Sequence, residues 1–131
     1  MYLVTQRPQA IKEREGFPMD NSWLGTEIVT QIGILVNDIE ATAQAYADFL
    51  GVPKPPIGMT GPCEEAHTQY LGEPTTARTK QAFFDIGPNI QIELLEPDRA
   101  PSTWRHDLDA KGEGVHHIAF NIKGMKEKIQ F

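Results

Sequence analysis

Two stretches far apart in the chain carry the same pattern, and that repeat limits what the chain can fold into. Gln31-Ile32-Gly33-Ile34-Leu35-Val36 runs into Asn37-Asp38-Ile39. His117-Ile118-Ala119-Phe120-Asn121-Ile122 runs into Lys123-Gly124-Met125. Laid side by side without a gap, Gln31 falls on His117, Ile32 on Ile118, Gly33 on Ala119, Ile34 on Phe120, Val36 on Ile122 and Ile39 on Met125. Each copy starts with the period-two alternation of a strand and switches to helical spacing, so the repeating unit is a strand leading into a helix.

The first copy is the longer. Thr26 to Val36 reads as a strand with Ile32, Ile34 and Val36 on one face and Gln31, Gly33 and Leu35 on the other. Asn37 is placed to cap the helix that follows, with Glu40 three residues on as in a capping box. Ile39, Ala43, Tyr46, Ala47 and Leu50 share one helical face. Gly51 suits the left-handed residue after the helix, and Pro53 stops continuation. Lys54 to Cys63 reads as a loop, and His67 to Leu71 as a weak strand. Ala77 to Ile86 and Ile90 to Leu95 form a hairpin around Gly87-Pro88-Asn89. Ser102 caps a short helix that turns Trp104 and Leu108 inward and ends at Gly112. Val115 to Ile122 is the last strand, and a helix starts at Met125.

The order β-α-β-β-β, connector helix, β-α predicts an α+β fold. An N-terminal arm is expected over residues 1–25, with Trp23 and Leu24 as the residues that would dock it. A first βαβββ module covers 26–97 as a curved mixed sheet with helices on its convex face. A connector covers 98–114, and 115–131 begins a second βαβββ module that breaks off after its first strand.

Composition closes off other classes. The net charge of −6 over 131 residues lacks the basic face a nucleic-acid partner needs. One cysteine, Cys63, gives no intrachain disulfide framework and fits a reducing compartment. No apolar run reaches the roughly 20 residues that span a bilayer, and no signal peptide is recognisable. The expected setting is cytoplasmic, with no membrane partner.

The face opposite the aliphatic one is where chemistry can reside. It carries Gln31 and Gly33 in the first strand, Gln91 and Glu93 in the hairpin strand, and His117, Ala119 and Asn121 in the repeat strand. In one curved sheet, Gln31, Glu93 and His117 converge on the concave side. An amide oxygen, a carboxylate and an imidazole suit a divalent cation with open positions. His116 alternates to the other side and reads as a packing residue.

Gln31-Ile-Gly-Ile-Leu-Val-Asn-Asp-Ile-Glu40, Ile92-Glu-Leu-Leu-Glu-Pro97 and Gly112-Glu-Gly-Val-His-His-Ile-Ala-Phe120 resemble the vicinal oxygen chelate (glyoxalase, bleomycin resistance, dioxygenase) superfamily. Within it they are most similar to the methylmalonyl-CoA epimerase and lactoylglutathione lyase branch. The resemblance runs from about Thr26 to the C-terminus. It implies two βαβββ modules forming a cup around a divalent metal cation, with Gln31, Glu93 and His117 at ligand positions. Gln31 stands where the branch usually has a histidine, and the fourth ligand would fall beyond the last residue. The implied chemistry is epimerase- or lyase-type proton transfer, with the metal chelating two neighbouring substrate oxygens and stabilising an enolate. The ligand would be a small carboxylate or acyl thioester, its distal group held by Arg78, Lys80, Trp104 or Arg105. A homodimer is expected, strand-swapped in one version, because an incomplete second module would leave a cup with exposed strand edges. Two other readings stand beside this one: a non-catalytic protein of the same fold that sequesters a small molecule, and an inactive fragment.

Overall fold

The computed structural model describes residues 24–128, which fall into two compact units: Ile28–Asn121, and residues 24–27 together with 122–128. The second unit holds one turn of helix, and the first holds the sheet.

The first strand, β1 (Val29–Leu35), is shorter than the predicted span. The helix after it, α1 (Ile39–Leu50), buries Ile39, Ala43 and Ala47, on the face its spacing predicts. Its N-cap is Asp38 rather than Asn37: the Asp38 carboxylate accepts from Ala41 N–H at 3.0 Å. The Asn37 N–H instead donates to Glu113 Oε1 at 2.7 Å, and the Ile39 N–H to Glu96 Oε2 at 2.8 Å. Three carboxylates therefore take up N–H groups at or just before the positive end of the helix dipole, so the helix starts one residue later than a single cap predicts. Glu40 pairs with Lys54 instead of closing a capping box. Gly51 ends the helix in the left-handed region at φ 68.

The segment expected to be loop contains a short strand, β2 (Gly58–Met59), and one turn of helix, α2 (Cys63–Ala66). The weak strand beyond it is a small hairpin, β3 (Gln69–Tyr70) and β4 (Glu73–Pro74), with Leu71 and Gly72 at positive φ in its turn. The long hairpin is β5 (Thr79–Ile86) and β6 (Ile90–Pro97). Helix α3 (Thr103–Lys111) begins at Ser102, whose hydroxyl accepts from Arg105 N–H as expected. Strand β7 (Gly114–Phe120) follows, and α4 (Met125–Lys128) lies in the other unit.

The main sheet is mixed, curved and open, in the order β2-β5-β6-β1-β7. β1 runs parallel to β6 and antiparallel to β7. One face, with Val36, Ala82, Phe84 and Leu94, packs under α1. Alternation sends Leu35 and Leu95 to the other face, where they meet Leu108 and Trp104 of α3 at one end. The rest of that face is the polar one. Among the described residues no helix is long and apolar enough to cross a membrane.

Candidate metal centre

Strand registers fix the site. Gly33 of β1 stands opposite Glu93 of β6 on one side and His117 of β7 on the other. The His117 ring crosses β1 over Gly33: a Cβ built on Gly33 would lie 2.2 Å from its Cε1 and 2.6 Å from each ring nitrogen. With no Cβ in the way, His117 Nε2 comes to 3.3 Å from Glu93 Oε2. Gly33 is a site residue that alternation alone marks only as small.

Glu93 is 6 % exposed. Burying a carboxylate costs free energy unless partners face it. Its Oε1 accepts from the Gln81 side chain of β5 at 2.7 Å, and its Oε2 faces His117. Gln81 also went unnoticed in the sequence, because its value depends on the β5–β6 register, which sets Gln81 against Leu95 and thus diagonal to Glu93.

Gln31 lies on the same polar face, diagonally across from His117 because its own partner on β7 is Ala119. Diagonal neighbours of this kind are about 7 Å apart at Cα and within reach of long side chains. Its amide nitrogen donates to Gln91 Oε1 at 3.0 Å, and Gln91 donates to Asp85 Oδ1 at 2.9 Å. The structure therefore brings Glu93 and His117 together, while the Gln31 side chain, on the same face, turns to Gln91.

His116 departs from the expected alternation. Gly33 pairs with His117 while Ile34 pairs with Val115, so His116 is the extra residue of a β-bulge. The bulge swings its ring to the His117 side. The two Nδ1 atoms are 3.0 Å apart and the rings meet edge to face. His116 Nε2 lies 3.9 Å from Asp107 Oδ2 of α3. Burial, and then the neighbouring His117, hold His116 below the ordinary imidazole range, against the pull of Asp107.

The residues expected to hold substrate lie apart. Trp104 packs against Leu35 and Leu95 at the end of the polar face. Arg78 donates from Nε to the Thr60 carbonyl at 2.7 Å. Lys80 is ion-paired to Glu96 at 2.7 Å. Arg105 pairs with Asp109, its Nε is buried without a hydrogen-bond partner, and it lines a cleft of about 290 Å³ with Asn37, Asp98 and Arg99 at the ends of β1 and β6.

A buried carboxylate and an imidazole nitrogen 3.3 Å apart are donor types that a divalent cation takes. Glu93 and His117 thus fit a divalent cation. Among the described residues no group of three or more His, Cys, Asp or Glu side chains converges, so further donors would be amide, water or substrate oxygens.

The polar cup, the flanking helix and the His–Glu pair define a class. Residues 30–131 match the family model of the Glyoxalase/Bleomycin resistance protein/Dioxygenase superfamily, and the chain belongs to that family. It is 32% identical over 101 residues to YqjC, an uncharacterized protein of Bacillus subtilis (strain 168), covering 76% of this chain and 60% of that protein. Its fold is similar to that of the hypothetical protein BH1468 from Bacillus halodurans C-125, at TM-score 0.54 and 32% identity over 78% of this chain and 63% of that one. It is also similar to methylmalonyl-CoA epimerase from Mycobacterium tuberculosis, at TM-score 0.57 and 20% identity, over 84% of this chain and 63% of that one. A variant of the Streptomyces coelicolor methylmalonyl-CoA epimerase, in complex with 2-nitronate-propionyl-CoA, gives TM-score 0.52 and 25% identity over 79% and 69% of the two chains. The chain thus spans about three-fifths of the length of the curated relative it matches.

Proposed function

We propose that the protein is a divalent-metal-dependent proton-transfer enzyme, an epimerase or lyase acting on a small carboxylate or acyl thioester. The observation that carries this is the buried Glu93 carboxylate facing His117 Nε2 at 3.3 Å across Gly33. Glu93, His117 and the Gln31 oxygen would hold the cation. When bound, it supplies Lewis-acid stabilisation of negative charge on two neighbouring substrate oxygens. Gln81 fixes the Glu93 carboxylate, and Gly33 leaves room for the His117 ring above it. Trp104, packed over the buried Leu35 and Leu95, would give a bound acyl group an apolar neighbour at the end of the polar face. Arg105, in its cleft, and Arg78 are the groups offered to the distal end of the substrate.

Family membership and the fold shared with epimerases support this reading. Equilibrium dialysis of the full chain against cobalt or zinc, with metal counted by mass spectrometry, is expected to give one ion per chain. It is expected to give none for His117→Ala. Incubation with an α-carboxy acyl thioester in deuterium oxide is expected to exchange the α-proton only in the loaded protein. Absence of binding by the unsubstituted chain would refute the proposal.

A second reading is favoured by the convergence of only two charged-type donors among the described residues: a protein that binds a small molecule without metal. It predicts ligand affinity unchanged by chelator. In either case we place the protein in a homodimer. β7 stands at one end of the sheet order, with Val115 and Ile118 67% and 54% exposed. Light scattering after size exclusion is expected to give twice the chain mass, and a monomer would refute that assignment.

A further inference from the structure

The bulged His116 has a place in the site that the ligand set leaves unused, and we infer that it is a positioning residue that fixes the tautomer of His117 through a reversible Nδ1–Nδ1 hydrogen bond. The inference rests on the metal reading above. Two ring nitrogens 3.0 Å apart share one proton, so one donates and the other accepts. Which one donates follows from what faces the far side of His117. A carboxylate accepts only. With no cation present, His117 Nε2 faces the Glu93 carboxylate at 3.3 Å, and that negative charge favours the tautomer with the ring proton on Nε2. Its Nδ1 is then a lone pair, and His116 donates from Nδ1.

A cation on Nε2 needs the lone pair there. The single proton of neutral His117 then sits on Nδ1 and is donated to His116 Nδ1. The His116 proton moves to Nε2, which faces Asp107 Oδ2 at 3.9 Å. The two rings hold two protons in both forms, so the reversal releases none to solvent. The bond that orients His117 is present in both states, and only its direction changes. A ligand histidine held by an acceptor on its second nitrogen binds metal more tightly and in one orientation. Here the acceptor is a second histidine, which can switch roles, where a backbone carbonyl could not. The β-bulge makes this possible, because in a regular strand the His116 ring would point to the opposite face.

The test uses the full chain, labelled with nitrogen-15, at pH 8, above the ordinary imidazole range. Long-range proton–nitrogen correlation is expected to show Nε2–H on His117 and Nδ1–H on His116 without metal. One equivalent of zinc is expected to move the protons to Nδ1 and Nε2 respectively. Zinc binding that leaves the His116 tautomer unmoved overturns the inference. Calorimetry supplies the second readout. His116→Phe is expected to weaken zinc binding by roughly tenfold to a hundredfold. His116→Asn, whose side-chain oxygen can accept in place of Nδ1, is expected to restore most of the affinity. A role in packing alone would give the opposite order and overturns the inference. Failure of the unsubstituted chain to bind zinc sinks the metal reading and the reversal with it. Normal binding by both the unsubstituted chain and His116→Phe sinks only the positioning role.

Discussion

Replacing Gly33 with alanine separates the stability of the fold from the integrity of the site. The backbone has no objection to the change, since Gly33 is not among the glycines at positive φ. Glycine in a strand interior is less favourable than alanine by roughly 0.5–1 kcal/mol. The conflict lies in the side chain above it. The new Cβ would lie 2.2 Å from His117 Cε1, so the ring must retreat by about 1.2 Å to reach ordinary van der Waals distance. The His117 side chain is 33% exposed and has open space to swing into. The fold therefore tolerates the change, while the 3.3 Å approach to Glu93 is lost. Binding constellations tolerate displacements of about 0.5 Å, and an ångström can cost on the order of a hundredfold. We expect Gly33→Ala to unfold in urea within about 1 kcal/mol of the unsubstituted chain. Zinc affinity by calorimetry should fall at least tenfold, in keeping with a ligand displaced by more than an ångström. Unchanged zinc affinity would show that His117 does not cross over Gly33, and the description of the site would be wrong.

Glu96→Ala removes the acceptor for the Ile39 N–H and the partner of Lys80, and should cost about 1–3 kcal/mol in urea unfolding. Glu96→Gln, which keeps an acceptor, should cost less, and equal stability of all three chains would refute this. Gln81→Leu leaves Glu93 Oε1 buried without its donor and should lower metal-free stability by a similar amount of roughly 1–3 kcal/mol; an unmoved urea midpoint would show that Gln81 does not hold Glu93. Asp107 and Asp109 are held below the ordinary carboxylate value, first by their hydrogen bonds from Lys111 and Arg105 respectively. A depressed carboxylate stabilises above its unfolded value and loses that contribution as pH falls through its folded one. The two α3 pairs should therefore persist down to the ordinary value of 3.8 and come apart below it. Carboxyl carbon NMR should show both groups titrating below that value, and high salt should move them back toward it because they are exposed. Titration at or above 3.8 would refute the pairing.

Much of the fold was legible because local and periodic signals agreed. The α1 face, Gly51 as helix stop, Ser102 as cap and the β5–β6 hairpin all rest on spacing within a few residues. The cap moved from Asn37 to Asp38 for a non-local reason, since Glu96 and Glu113 arrive from 57 and 76 residues away to take the neighbouring N–H groups. The site was partly legible. Alternation put Gln31, Glu93 and His117 on one face, but only the inter-strand register sets Gly33 between Glu93 and His117 and brings Gln81 alongside. His116 could not be placed from sequence, because a bulge breaks the alternation used to place it.

The β1–β7 register explains why the repeat builds a site at this seam. Ile32 and Ile118, equivalent in the repeat, pair with each other. Gln31 pairs with Ala119 and Gly33 with His117, which are the same pair with the copies exchanged. Thr30 and His116 are also equivalents, and each is the extra residue where the register shifts. The two strands are thus related by a local twofold axis through Ile32 and Ile118, and the bulge at His116 belongs to that symmetry. Symmetry makes the Gln31–Ala119 and Gly33–His117 crossings alike in backbone, so their difference lies in the side chains. Gln31 turns aside to Gln91 and leaves Ala119 its methyl group; His117 turns inward over β1, and only glycine fits beneath it. Ala119→Gly should therefore leave zinc affinity where it was, although it is the symmetry mate of the position where one added methyl group lowers it at least tenfold. Equal losses at the two positions would mean that backbone geometry at the seam, and not the His117 ring, sets the requirement for glycine.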